Sequence, residues 1–122
     1  MATILYVEDH PPAQMLMQAI VNEMTGHTLH MASTGEMARA IASEALPDLY
    51  ILDLDLPDTD GLTLAEALRH LNPTNPNPAP VILVSAYAEA VEDAESSGLV
   101  TFYLAKPLDP DHVAEAIQRA LA

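Results

Sequence analysis

The chain has 122 residues, half of them hydrophobic, and no cysteine; it is long enough for one domain with an apolar core, and disulfides, zinc–thiolate sites and thiol catalysis are excluded. Four basic residues face 18 acidic ones, a formal charge of -14, so the chain as a whole repels DNA, RNA and anionic lipid and direct nucleic-acid binding is not expected. No apolar run approaches the roughly 20 residues that span a bilayer, and the start, MATILYVEDH, has no basic segment before its apolar stretch, so no membrane insertion and a cytoplasmic location are expected.

Thr3 to Val7 is apolar and β-branched or aromatic, and it stops abruptly at Glu8-Asp9, which predicts a buried strand ending in a functional turn. From about Pro11 to Met24 the apolar residues Met15, Leu16, Ala19, Ile20 and Met24 recur at helical spacing, with Gly26 closing the segment. His27 to Met31 is the second predicted strand, and Ser33 with Glu36 has the spacing of a capping box before a helix carrying Met37, Ala38, Ile41 and Ala45. Asp48 to Leu52 forms the third strand, ending at Asp53, and a helix from about Gly61 to Leu71 follows the loop. The stretch Asn72 to Pro80 holds four of the ten prolines and is predicted as a stiff connector. Val81 to Val84 is a fourth strand ending at Ser85, a short helix is expected over Ala88 to Ser96, and a fifth strand near Phe102 to Leu104 ends at Lys106-Pro107. The last helix has Asp109 as N-cap and Pro110 at its first position, with Val113, Ala116, Ile117 and Ala120 as its apolar stripe.

Five strands alternating with five helices imply an α/β fold, a doubly wound parallel sheet with helices on both faces. Such sheets bind ligands at the carboxyl ends of their strands, which gathers Glu8, Asp9, Asp53, Ser85 and Lys106 into one neighbourhood. Three converging carboxylates repel one another unless a cation joins them, and an oxygen-only set suits Mg²⁺ or Mn²⁺. Asp9 and Asp53 are the better direct ligands, with Glu8 acting through water. One acidic residue at a strand end commonly just solvates a loop; three apolar strands ending in this constellation do not read that way. Lys106 is the only lysine. It can serve as a counter-ion to the carboxylates, or clamp a phosphoryl group bound beside a metal. The Ser85 hydroxyl can donate to such an anion or cap the next helix.

Glu8-Asp9 after the first strand, Asp53-Leu54-Asp55-Leu56-Pro57-Asp58-Thr59-Asp60-Gly61 after the third, Ser85-Ala86 after the fourth and Tyr103-Leu104-Ala105-Lys106-Pro107 at the fifth closely resemble the receiver domain of two-component response regulators in its small, stand-alone, chemotaxis-regulator-like form. The resemblance covers nearly the entire chain and implies a flavodoxin-like fold of strand order 2-1-3-4-5 with five flanking helices. It implies that Asp53 is the phosphoacceptor, supplied by a sensor histidine kinase or a histidine phosphotransfer protein. It further implies Mg²⁺ held by Asp9, Asp53 and the backbone carbonyl of Asp55, with Glu8 through water; Lys106 on the phosphoryl oxygens; Ser85 and Tyr103 as the switch pair; and a cis bond before Pro107. Residues 1–122 are expected to form one receiver domain with no effector domain in the chain, which either acts alone by docking to a protein target not identifiable from sequence or belongs to a longer regulator. Activity would be Mg²⁺-dependent self-phosphorylation and slow autodephosphorylation rather than sustained turnover.

From Ser85 to Gly98 the chain is shorter than the family usually runs, so the helix there is expected to be short or displaced. Arg119 is the only cation near the end of the last helix, which leaves a dimer across that face with little to form salt bridges from. An acidic Asp55 side chain either orients water or faces solvent, and the solvent-facing reading is preferred. Haloacid-dehalogenase-like phosphatases also resemble the Asp53-Leu54-Asp55 pattern, but they place it after the first strand in longer chains. A scaffold that binds without being phosphorylated is a second rival, disfavoured because scaffolding requires none of the five site residues.

Overall fold

In the computed structural model, residues 1–71, 78–87 and 98–122 are described. They form β1 (Thr3–Val7), α1 (Pro11–Met24), β2 (Thr28–Ala32), α2 (Gly35–Ala45), β3 (Leu49–Asp53), α3 (Gly61–Arg69), β4 (Val81–Ser85), β5 (Phe102–Ala105) and α4 (Pro110–Leu121). The five strands make one parallel sheet in the order β2-β1-β3-β4-β5. The helix expected over Ala88 to Ser96 and the middle of the proline-rich connector lie outside the described residues.

Strands buried on both faces need apolar side chains at nearly every position, and β3 and β4 are buried throughout. Alternation along β1 divides the core. Ile4 and Tyr6 pack with Met17, Ile20 and Val21 of α1 and with Val113, Ala116 and Ile117 of α4. Leu5 and Val7 pack with Ala38 and Ala42 of α2 and with Leu64, Ala65 and Leu68 of α3.

Several local expectations shift. The buried stripe of α1 is Met17, Ile20 and Val21, while Met15 is 73% exposed and Leu16, Ala19 and Met24 also face outward. Both sides of this helix are apolar, so periodicity cannot choose between them; packing against Tyr6 and α4 does. Met37 is likewise exposed, and α2 turns Ala38 and Ala42 inward. Thr34, rather than Ser33, caps α2, its hydroxyl accepting from Met37 N at 3.1 Å. Asp58, reaching over from the β3–α3 loop, accepts from Gly35 N at 2.8 Å and Glu36 N at 3.0 Å, so two of the orphan donors of this helix are satisfied from a distant part of the chain. β2 begins and ends one residue later than expected, and α3 stops at Arg69, leaving Leu71 partly exposed. The Asp109 cap of α4 forms as expected, accepting from Asp111 N and His112 N.

Candidate functional site

The site grows out of the sheet register. Val7 pairs with Leu52, so the next residues, Glu8 and Asp53, come side by side where β1 and β3 end. Glu8 N still donates to Ala32 O at 2.9 Å, which holds its backbone against β2, and Asp53 is paired with Val84. Both carboxylates are buried, Glu8 1% and Asp53 4% exposed, while Asp9 lies exposed at the turn. Carboxylate oxygens of Glu8, Asp9 and Asp53 all lie within 4.8 Å of one another.

Lys106 is brought to this cluster by β5. Its backbone N–H donates to Ser85 O at 3.0 Å, and its Nζ lies 3.2 Å from both Glu8 Oε1 and Asp53 Oδ2. The Lys106–Pro107 bond is cis, as expected. Burial raises the Glu8 pKa from the ordinary 4.5 to about 7, with the Asp53 carboxyl adding to the rise and Lys106 opposing it. Burial alone would lower the Lys106 pKa, but the attraction of Asp53 and Glu8 outweighs it and the ammonium is held above its ordinary value. One lysine therefore compensates two buried acids only in part. The three-oxygen donor set, hard and free of nitrogen or sulfur, fits a divalent cation. Glu8 Oε2, buried and with no hydrogen-bond partner among the described residues, is an acceptor that such an ion or its water would satisfy.

Ser85 is buried at the end of β4, and its Oγ accepts from Tyr87 N at 3.0 Å, which leaves the hydroxyl proton without an acceptor among the described residues. Tyr103 on β5 donates its hydroxyl to Ser85 O at 2.9 Å and approaches Tyr87 O at 3.5 Å, so the two expected switch residues are adjacent. Asp55 is exposed and bridges Asp60 across the β3–α3 loop. Arg119 lies 3.9 Å from Glu115 and 5.4 Å over the Phe102 ring, both within its own chain.

Two supporting residues escaped the reading of the sequence. Gln14 Nε2 donates to Glu8 O at 2.5 Å and reaches Ser33 Oγ at 3.4 Å, tying α1 and the end of β2 to the acidic turn. No local signal marked it: Gln14 lies three and seven residues before Met17 and Val21, on the stripe of α1 that periodicity could not single out. Gly61 has no room for a side chain, since a Cβ would stand 2.6 Å from Asp53 O and 2.9 Å from Leu83 Cδ1. Its absence lets α3 start hard against the backbone of Asp53, with Gly61 N donating to Leu54 O at 2.8 Å.

A cleft of about 530 Å³, lined by Pro47, Asp48, Pro80, Val81 and Thr101 among others, lies at the amino ends of the strands. It is remote from the carboxylates, and the site is located by its charges rather than by cavity size.

The model of the response regulator receiver domain family matches residues 4–118. The chain belongs to this family. The receiver domain is 30% identical to sporulation initiation phosphotransferase F of Bacillus subtilis (strain 168), over 97% of this chain and 92% of that protein. It is 29% identical to regulatory protein AtoC of Escherichia coli (strain K12), over 97% of this chain but only 25% of that protein, so the chain spans about a quarter of that relative's length. Among solved structures, the response regulator receiver domain (CheY-like) from Methylobacillus flagellatus superimposes with a TM-score of 0.86 at 28% identity, covering 98% of each chain. Receiver domains of this family act as phosphorylation-dependent signalling switches of two-component systems.

Proposed function

We propose that Asp53 is the residue that accepts the phosphoryl group, from a histidine kinase or histidine phosphotransfer protein, and that the whole chain acts as one receiver domain in the cytoplasm. The observation that carries this reading is the pair of 3.2 Å contacts from Lys106 Nζ to Glu8 and Asp53, with Asp9 completing the acidic cluster. A carboxylate oxygen of Asp53 forms a bond to phosphorus as the phosphorus–nitrogen bond to the donor imidazole breaks, and the imidazole leaves with the bonding pair. Such a transfer asks the protein for alignment and for neutralisation of the equatorial oxygens. Lys106, already within reach of Asp53, supplies a positive charge that can pass from the carboxylates to the new phosphoryl oxygens. Ser85 donates its hydroxyl proton to the same group.

Asp9, Asp53 and the Asp55 backbone carbonyl would hold Mg²⁺, with Glu8 acting through water. When bound it neutralises the clustered acids and the charge of the incoming phosphoryl group. Ser85 and Tyr103 form the switch pair, supported by the 2.9 Å bond from the Tyr103 hydroxyl to Ser85 O: a shift of Ser85 toward the phosphoryl group changes the seat of Tyr103 and with it the β5 surface offered to a downstream protein.

The test is the intact mass of the protein after incubation with acetyl phosphate and Mg²⁺. A gain of about 80 Da, one phosphoryl group, is expected, and it should vanish with EDTA and in Asp53→Ala. A gain that survives Asp53→Ala assigns the acceptor elsewhere; no gain in the folded wild-type protein, even with a histidine phosphotransfer donor, sinks the reading.

A further inference from the structure

Two buried side-chain atoms have no hydrogen-bond partner among the described residues, and they are two residues apart, one on β1 and one just past its end: the hydroxyl of Tyr6 and Oε2 of Glu8. Tyr6 lies on the face of β1 covered by α1 and α4, fully buried among Met17, Ile20 and Ile117, and Glu8, whose N–H still pairs with Ala32 O, follows it by one alternation period. A buried hydroxyl left without a partner is costly, and a Phe would fill nearly the same volume without that cost. The Tyr6 hydroxyl also feels the site: burial first, then the negative charges of Glu8 and Asp53, hold its pKa well above the ordinary tyrosine range. One orphan is a donor and the other an acceptor, which is the complementarity that an enclosed water satisfies.

We propose that Tyr6 is a positioning residue for the Glu8 carboxylate, its hydroxyl donating to Glu8 Oε2 through one enclosed water. Glu8 Oε1 is held by Lys106 from the side of β5, and Tyr6 then holds the other oxygen from below, so the carboxylate keeps one orientation beneath Asp9 and Asp53. Outer hydrogen-bond partners of this kind orient the acids of metal sites. The inference rests on the Mg²⁺ reading of the acidic cluster.

The experiment is a calorimetric Mg²⁺ titration of the wild-type protein, Tyr6→Phe, Glu8→Gln and the double variant, with urea melts of the metal-free wild-type and Tyr6→Phe proteins. Tyr6→Phe should weaken Mg²⁺ binding roughly five-fold, the equivalent of one ordinary hydrogen bond, in the wild-type background and leave it unchanged in the Glu8→Gln background. That non-additivity separates action through Glu8 from a general loosening, which would weaken both backgrounds alike. Equal loss in the two backgrounds, or no loss in either, overturns the role of Tyr6 while leaving the metal site in place. So does a metal-free Tyr6→Phe protein more stable than wild type, because it would mark the hydroxyl as a tolerated orphan. A wild-type protein that takes up no Mg²⁺ removes the metal reading and this inference together.

Discussion

The two halves of the site are held very differently. Glu8 and Asp53 sit at the ends of β1 and β3, central strands buried almost throughout, and their carboxylates are buried with them. Tyr103 lies on β5, an edge strand on which only Leu104 is buried, and Lys106 directly follows it. The acids that need fixed geometry for ion binding and in-line attack are fastened to the interior of the sheet. Lys106 and Tyr103, which respond when charge arrives, are placed where fewer packed neighbours resist movement, while their partner Ser85 ends the buried β4. Gly61 strengthens the contrast by letting α3 close directly on the Asp53 backbone.

Gly61→Ala should break the rigid half and gives the larger expected effect of two substitutions. With its Cβ 2.6 Å from a main-chain oxygen, either α3 or the end of β3 must shift, at a cost of about 1–3 kcal/mol. Urea denaturation measures that loss, and phosphoryl uptake by Asp53 should fall with it even where the variant is fully folded. An unchanged melt would mean that the Asp53 end of the sheet is as yielding as the edge.

Tyr103→Phe should test the responsive half at smaller cost. It removes the bond to Ser85 O, worth about 0.5–1.5 kcal/mol, but Ser85 O keeps the Lys106 N–H as a partner. The loss in a urea melt should therefore lie near the lower end of that range, and the rate of phosphoryl gain from acetyl phosphate should stay close to wild type. A large drop in that rate would make Tyr103 part of the transfer machinery rather than of the readout.

pH tests the buried acids themselves. The folded Glu8 pKa of about 7 lies above its ordinary 4.5, so folding favours the protonated acid. Its contribution is fully present below pH 4.5 and is lost as pH rises through about 7. Metal-free protein should consequently show a falling component of stability across that window in urea melts, absent in Glu8→Gln and offset by Mg²⁺. A wild-type pH profile identical to that of Glu8→Gln would show that Lys106 already compensates both acids.

Much of this was readable from residue order because strand ends and chemistry coincide. Apolar runs that stop at Glu8, Asp53, Ser85 and Lys106 both delimit strands and locate the site, and in a parallel sheet all the strand ends with this sense meet at one edge. The Asp109-Pro110 cap was legible for a similar reason, since a cap is a local affair of three or four residues. Sequence alone was weaker wherever two local solutions were equally good. α1 is apolar on both sides, so nothing in its spacing chose Met17, Ile20 and Val21 over Met15, Leu16 and Ala19; Ser33 and Thr34 are both competent caps, and Asp58 approaching from another loop accompanies the choice of Thr34.

The sequence by itself determined the alternation of elements, the identities of the acids and the single lysine, and the sheet edge at which they gather, because each depends on patterns a few residues long. Only the tertiary structure decided that Lys106 spans Glu8 and Asp53, that Gln14 holds the Glu8 carbonyl, and that Tyr6 and Glu8 each bury one atom with no partner among the described residues. Those relations join residues up to 98 positions apart or depend on which atoms burial removes from water, and neither is encoded in local spacing.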